Sequence, residues 1–223
     1  RWDNCLDTPV TFPMPLGPFN DCYHDIEIKP ISQRKYDFTF VGQIPHTGTR
    51  DCFKRGLDKL VEESGDKFKY KIEFTDGFSK GLKPKEYMEL LADSKLSLCP
   101  GGAYSMETFR FFESTLMGAI PIVDRLPKFW YYEQSSFFKG AWHDLDNTLS
   151  KSLNFLQNSG CRGLLEGLAV YNNEVMDVDN LAFKMKSTVN QRHKNLEPSK
   201  EYLNQLREFL KNELDSDQLQ NAL

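Results

Sequence analysis

The chain has 223 residues, of which 39% are hydrophobic and 13% aromatic, and its formal net charge is −4 at pH 7. This length and apolar content are enough to bury a sizeable core, so they exclude a disordered protein. The acidic balance, without a block rich in lysine and arginine, argues against a nucleic-acid-binding protein. No apolar run approaches the roughly 20 residues of a membrane-spanning helix, so no membrane anchor is seen in the sequence.

Residues 1–36 contain five of the eleven prolines and show little hydrophobic periodicity. Prolines at this density interrupt helices and central strands, so the pattern predicts an extended segment. We interpret it as the remnant of a preceding domain or as a partial acceptor-side segment. No basic and then apolar leader opens the chain, and we expect the sequence to be the interior of a longer product.

From residue 37 onward, strand and helix patterns alternate. Short apolar or alternating runs predict strands, and apolar residues that recur every three or four positions predict helices. The predicted strands span residues 37–43, 69–75, 95–99 and 120–123. The predicted helices span residues 50–63, 84–94, 106–117 and 146–157, with Pro84 suited to a first helical turn and Gly118 to a helix end.

This alternation predicts an α/β fold, a Rossmann-like parallel sheet with helices on both faces, in a domain over residues 37–160. An aromatic stretch over residues 129–142 is interpreted as a loop that packs against the sheet edge, with an acceptor-binding platform as the alternative. Residues 161–223 are predicted to form a helical C-terminal extension that packs on this domain and ends in an amphipathic helix.

Ligands bind parallel sheets at the carboxyl ends of the strands, so the loops after the first and third predicted strands are the candidate site. The turn formed by Pro100, Gly101 and Gly102, followed by Ser105 at a predicted helix start, offers free main-chain N–H groups and the positive end of a helix dipole. Such a site suits a phosphate or diphosphate, although glycines also serve merely to turn a chain.

The loop after the first predicted strand, GQIPHTGTR, repeats this arrangement with Gly42, His46 and Arg50 as candidate ligand-binding residues. Two such loops at neighbouring strand ends would form a cradle for an anionic ligand. Arg110, on the predicted helix after the second loop, adds a planar donor group whose geometry matches phosphate oxygens.

Two glutamates accompany Arg110 on this helix. Glu113 lies three residues beyond Arg110 and therefore shares its helix face, either as a surface ion pair or as a carboxylate that accepts hydrogen bonds from ribose hydroxyls. Glu107 either complements the helix dipole or faces a sugar.

These motifs resemble the signature of exostosin-type glycosyltransferases, glycosyltransferase family 47. The resemblance rests on LCPGG, SMETFRFFE and GAIPIV, which match a Cys-x-x-Gly turn, a helix bearing arginine and glutamate, and a Gly-x-x-Pro strand. The DFTFVGQ strand and the WHDL segment also match in order, so the resemblance covers about residues 37–157. The chain departs from the family's Ser-x-Arg spacing, because four residues separate Ser105 from Arg110.

The resemblance implies the nucleotide-sugar half of a GT-B-type transferase. In that architecture Glu113 would bind the donor's ribose, while Arg110, the loop amides and Arg50 would hold the diphosphate. It also implies an inverting transfer from a nucleoside diphosphate sugar, with UDP expected, to a carbohydrate or glycoprotein glycan acceptor. No metal and no cofactor besides the donor is expected, because cationic side chains and a helix start can stabilise the leaving group.

The catalytic base is not assigned, and the N-terminal candidates are His24 and Asp25. One alternative function is a non-catalytic carbohydrate-binding or assembly module. Another is a different nucleotide-sugar enzyme such as an epimerase, although the first loop lacks the G-x-G-x-x-G of dinucleotide enzymes. The compartment stays open between the Golgi lumen, for a eukaryotic secretory-pathway enzyme, and the cytoplasm.

Overall fold

A computed structural model describes residues 15–20, 25–44, 49–77, 80–102, 106–128, 132 and 135–158. All of them belong to the larger of the two compact units into which the chain divides. The predicted C-terminal helices lie outside the described residues, as does most of the proline-rich start. Among the described helices, none combines the length and the apolar character that a membrane-spanning segment needs.

The described part contains five strands and four helices. The strands are β1 (Tyr36–Gly42), β2 (Tyr70–Phe74), β3 (Ser94–Leu98), β4 (Ile120–Val123) and β5 (Phe138–Lys139). The helices are α1 (Thr49–Ser64), α2 (Pro84–Ala92), α3 (Phe109–Leu116) and α4 (Leu145–Asn158). Short 3-10 turns cover Ile31–Gln33, Gly65–Lys67 and Trp142–Asp144.

The five strands form one parallel sheet in the order β2-β1-β3-β4-β5. The predicted α/β class and Rossmann-like sheet are thereby confirmed. The chain moves from β1 outward to β2 and then returns to place β3 on the other side of β1. The carboxyl ends of β1 and β3 therefore flank a topological switch point, where parallel sheets leave room for a ligand.

Helices cover both faces of the sheet. On one face, α1 and α4 contribute Phe53, Leu57 and Leu149 to a core that includes Phe38 and Leu96 of the sheet. On the other face, a first cluster joins α2 to β1 and a second joins α3 to β4. Because the inner strands are buried on both sides, their sequences show apolar runs rather than a strict alternation of apolar and polar residues.

Two predicted elements differ from the structure. Helix α3 begins at Phe109 rather than at residue 106, because Thr108 is extended at the N-cap with φ −144° and ψ 139°. Strand β5 falls in the aromatic stretch that we interpreted as a loop, and its two residues are too few to show a period. The other predicted bounds lie within two residues of the observed ones. Gly118, with φ +68°, ends α3 as predicted.

Pro121 lies inside β4, although proline is unusual in a strand with neighbours on both sides. On the β5 side, the oxygen of Val123 accepts a hydrogen bond from Gly140 N–H at 2.9 Å. On the β3 side, the oxygen of Ile122 accepts one from Cys99 N–H at 2.9 Å. Main-chain groups alternate in direction along a strand, so the Pro121 nitrogen faces the β5 side. Because β5 begins opposite Ile122, the missing N–H removes no ladder bond.

Arg34 anchors the segment before β1 to the amino end of the sheet. Its Nε donates to the oxygen of Lys29 at 2.9 Å, and its Nη1 donates to Ser94 O at 2.9 Å and Gly118 O at 2.5 Å. Burial lowers the pKa of Arg34 to about 10, which leaves the side chain charged at neutral pH. The side chain is a structural cross-link, since main-chain carbonyls occupy its buried donors.

Close packing of α1 against the turn before α4 depends on Gly56. A Cβ at Gly56 would lie 1.8 Å from the main-chain oxygen of Trp142. Helix propensity alone would make Gly56→Ala stabilising by about 1 kcal/mol. We expect instead a loss of about 2 kcal/mol in the free energy of unfolding, because backbone must move to admit the methyl group.

Urea unfolding of the two proteins measures this effect. Lys59→Ala on the exposed side of the same helix is the matched control, since its side chain is 63% exposed. We expect that control to change the unfolding free energy by less than about 0.5 kcal/mol. A Gly56→Ala variant more stable than the wild type would contradict the proposed packing.

Candidate functional site

A cleft of about 500 Å³ opens at the carboxyl ends of β1 and β3. Both predicted loops border it, with Gly42 and Arg50 from the first loop, Gly102 from the second and Arg110 from α3. A groove of about 480 Å³ also lies between β5 and α4, but its lining includes no arginine. We place the candidate site in the first cleft, because it joins the switch point to the two arginines predicted from the sequence.

Arg110 is the buried cation of this cleft. Its Nε and Nη2 donate to the main-chain oxygen of Val41 at 3.1 and 2.6 Å, and its guanidinium lies 4.7 Å from the centre of the Phe40 ring. The residue is only 9% exposed, and its buried Nη1 has no hydrogen-bond partner among the described residues. No ion pair in those same ranges includes Arg110. A buried charged donor without an acceptor is costly, so this side chain is suited to an anionic ligand.

Gly42 makes the position of Arg110 possible. A Cβ at Gly42 would lie 2.1 Å from Arg110 Nη2 and 3.3 Å from its Cζ. The backbone there has φ +153°, a conformation that residues with a side chain rarely adopt. Gly42 therefore does more than turn the chain, because its missing side chain admits the guanidinium to the end of β1.

Arg50, in the first turn of α1, ties the two loops together. Its Nε donates to the oxygen of Gly101 at 2.8 Å, and its Nη1 donates to the oxygen of Gln43. Burial, followed by repulsion from Arg110, lowers the pKa of Arg50 to about 10. The side chain is still charged at neutral pH, so two neighbouring cations stand in the cleft. An anion bound beside them would relieve this repulsion.

Glu113 lines the same cleft and is 4% exposed. Its Oε1 accepts hydrogen bonds from Phe19 N–H at 3.2 Å, Asn20 N–H at 3.3 Å and Asn20 Nδ2 at 2.8 Å. The alternative of a surface ion pair with Arg110 is wrong, since Glu113 is buried and no ion pair between the two is present in the described part. The carboxylate is instead held by the segment over residues 15–20.

Tyr87 brings α2 into the site. Burial, and to a lesser degree the neighbouring Glu113 carboxylate, raises the pKa of Tyr87 well above its ordinary value, although Arg110 acts in the opposite direction. The phenol therefore stays protonated at neutral pH and can donate a hydrogen bond. Glu107 also lines the cleft, and its Oε1 accepts a hydrogen bond from the Tyr132 hydroxyl at 3.1 Å. Glu107 is 6% exposed and precedes α3 rather than lying within it.

Four other predicted site residues have different outcomes. Three of them, His24, His46 and Ser105, lie outside the described residues, so their roles stay predictions. The fourth, Asp25, is exposed and is not part of the cleft lining. Across the described ranges, no three His, Cys, Asp or Glu side chains gather in a way that could hold a metal ion.

Sequence reasoning missed several residues of the cleft. Asn20 lies in the proline-rich segment, where no periodicity or motif indicated a site. Tyr87 shares the buried face of α2 with Met88 and Leu91, a pattern that indicates only core. Lys80 lines the cleft near the end of β2 and had no motif around it. Lys80 follows β2, so it lies at the same edge of the sheet as the two predicted loops. That position is the one sequence signal that could have indicated Lys80 as a site residue.

Residues 20–130 match the family model described as RXYLT1 C-terminal domain. The chain carries a glycosyltransferase-like family domain. No curated protein matches the chain significantly. The matched range begins at Asn20 and includes β1 to β4, so this glycosyltransferase-like domain contains both loops, Arg110 and Glu113.

The match confirms the broader prediction from the sequence, a glycosyltransferase-like family. The narrower resemblance, to the exostosin-type family 47, stays a prediction.

Proposed function

We propose that this chain supplies the nucleotide-sugar-binding half of a GT-B-type glycosyltransferase. The reaction is an inverting transfer of a sugar from a nucleoside diphosphate, UDP, to a hydroxyl of a carbohydrate or glycoprotein glycan. The observation that carries the proposal is the pair of neighbouring arginines at the switch point, with a buried Nη1 on Arg110 that has no acceptor among the described residues.

The diphosphate is the group that these cations would bind. Arg110 supplies a guanidinium whose buried Nη1 has no acceptor among the described residues, Arg50 stands beside it, and Lys80 adds an exposed ammonium to the lining. A guanidinium pairs well with phosphate oxygens, and its donors can stabilise the negative charge that develops on a leaving diphosphate. In this proposal the protein's own cations supply the stabilisation, so no metal is required.

The nucleoside would occupy the rest of the cleft. The three hydrogen bonds from the N-terminal segment all converge on Glu113 Oε1, so Oε2 keeps an acceptor position beside the neighbouring Tyr87 hydroxyl. A carboxylate oxygen in that position can accept hydrogen bonds from the vicinal hydroxyls of a ribose. Leu82, Pro84 and Phe109 form an apolar part of the lining, which suits the face of a nucleobase.

The transfer itself is a direct displacement. The acceptor oxygen attacks the anomeric carbon from the face opposite the diphosphate, and the bond from that carbon to the diphosphate oxygen breaks. The electron pair of that bond leaves with the diphosphate, next to Arg110 and Arg50. The two carboxylates among the described residues of the cleft, Glu107 and Glu113, already accept hydrogen bonds from the protein. We therefore expect the base that takes the acceptor proton to lie outside the described residues.

Calorimetric titration of UDP into the wild type and into Glu113→Ala tests this assignment. We expect the wild type to bind UDP and the variant to bind it about 10- to 100-fold more weakly, because hydrogen bonds from the ribose to a carboxylate are lost. Glu89→Ala on α2 is the matched control, since this glutamate is exposed and does not line the cleft. Equal UDP affinity in the wild type and Glu113→Ala would contradict the role of Glu113.

Product formation separates an enzyme from a binding module. A panel of nucleoside diphosphate sugars, incubated with glycan acceptors, should yield a glycosylated product and release the diphosphate. Binding of UDP without product from any donor would favour the non-catalytic carbohydrate-binding or assembly module. Conversion of the donor's sugar without transfer would favour an epimerase.

A further inference from the structure

We infer that Asn20 is a positioning residue that holds Glu113 for recognition of the ribose, an inference that rests on the proposed function. Asn20 donates twice to Glu113 Oε1, through its main-chain N–H at 3.3 Å and its Nδ2 at 2.8 Å. Phe19 donates a third time, through its main-chain N–H at 3.2 Å. These contacts join positions more than 90 residues apart in the chain.

Three donors saturate one carboxylate oxygen. An ionised carboxylate has two oxygens with about four acceptor positions in all, so Oε1 has no room for a ligand. Oε2 has two acceptor positions, and even with the neighbouring Tyr87 hydroxyl on one of them the other can accept from a ligand. A glutamate side chain without such contacts would rotate about its last bond and exchange the two oxygens. The Asn20 contacts therefore fix which oxygen of Glu113 is offered to a ligand.

The segment that carries Asn20 is itself part of the cleft. The Phe19 ring lies 5.5 Å from the ring of Phe109, centre to centre, and both rings line the cleft together with Leu16. Leu16 is 40% exposed and Phe19 is 56% exposed, so apolar surface of the segment stays open to the cleft and to solvent. An open wall of this kind leaves space for a nucleoside beside the carboxylate, instead of filling it.

Asn20 should affect the binding of some nucleotides more than that of others. Asn20 should strengthen only those interactions that pass through Glu113, which are the contacts to the ribose hydroxyls. A nucleotide without these hydroxyls should gain nothing from Asn20. A residue that only stabilises the fold would affect both nucleotides equally, so the comparison separates positioning from stability.

The experiment titrates the full 223-residue chain with UDP and with 2′,3′-dideoxyuridine diphosphate, for wild type and Asn20→Ala. We expect Asn20→Ala to weaken UDP binding about tenfold, since one charge-assisted hydrogen bond to Glu113 is removed. Binding of the dideoxy nucleotide should change by less than about twofold, within the effect of a distant surface substitution. Asn20→Asp, which places a second carboxylate beside Oε1, should show a larger loss with the same selectivity.

Asn147→Ala is the matched control. Its Nδ2 donates to Asp144 Oδ2 at 2.8 Å, the same kind of bond as that of Asn20, at a place that does not line the cleft. We expect this control to bind both nucleotides as the wild type does.

Three results would overturn the inference. A parallel loss for UDP and for the dideoxy nucleotide in Asn20→Ala would show that Asn20 acts only through the fold. A gain in UDP affinity in Asn20→Ala would show that the segment over residues 15–20 competes with the ribose for Glu113. A wild-type chain that fails to bind UDP at all would overturn the proposed function first, and this inference with it.

Discussion

Arg110→Met should weaken UDP binding by at least about 100-fold, because it removes the guanidinium proposed to face the diphosphate. The same substitution should leave the free energy of unfolding unchanged or slightly raised. Methionine takes away a buried charge whose Nη1 has no acceptor among the described residues, although it also leaves the oxygen of Val41 without its donor. Calorimetry with UDP and chemical unfolding of the ligand-free proteins measure the two quantities.

Arg34→Met is the matched control, since Arg34 is also a buried arginine. Its donors already serve the oxygens of Lys29, Ser94 and Gly118, so its loss removes a hydrogen-bond donor from three main-chain carbonyls. We expect this control to lose about 3 kcal/mol or more of unfolding free energy and, where still folded, to bind UDP like the wild type. A large stability loss in Arg110→Met, without a change in UDP affinity, would mean that Arg110 is a cross-link like Arg34.

This contrast shows what the sequence could and could not reveal about buried arginines. Arg110 lies in a motif after a glycine turn, and that motif predicted its place at the strand ends. Arg34 lies in the proline-rich start, where nothing in the sequence distinguishes it from a surface residue. Its partners are main-chain oxygens of distant elements, and such partners leave no mark in the pattern of side chains.

The sheet was predictable for a different reason. Strands β1, β3 and β4 are buried on both faces, and their apolar runs, set between helical periods, identify a parallel sheet. Strand β5 has two residues and carries no period, so it was missed. The position of β5 depends on its pairing with Ile122 and Val123, which only the folded chain shows.

The candidate site was predicted through its loops and missed where distant segments join it. Gly42, Arg50, Gly102, Arg110 and Glu113 follow strand ends or lie on the helix after them, and all five line the cleft. The partner of Glu113 could not be predicted, because the carboxylate is held by Asn20, a residue 93 positions away. On α3, Phe111 is fully buried whereas Phe109 lines the cleft.

Gly42→Ala should lose both stability and ligand binding. The new Cβ would meet Arg110 Nη2 at 2.1 Å, and the backbone at φ +153° is strained for any residue with a side chain. We expect a loss of about 2–4 kcal/mol in the free energy of unfolding, from backbone strain together with overpacking. We also expect UDP affinity to fall nearly as far as in Arg110→Met, because the guanidinium must leave its place at Val41.

Gly65→Ala separates these two causes. Gly65 also has a positive φ, +51°, but a Cβ there would meet nothing within 4 Å. It should lose only about 1 kcal/mol of unfolding free energy from backbone strain, and it should bind UDP like the wild type. If Gly42→Ala behaved like Gly65→Ala in both measurements, the guanidinium would not depend on the bare backbone of β1. Loss of UDP binding in Gly42→Ala but not in Gly65→Ala would instead show that Gly42 supports diphosphate binding by leaving room for the Arg110 guanidinium.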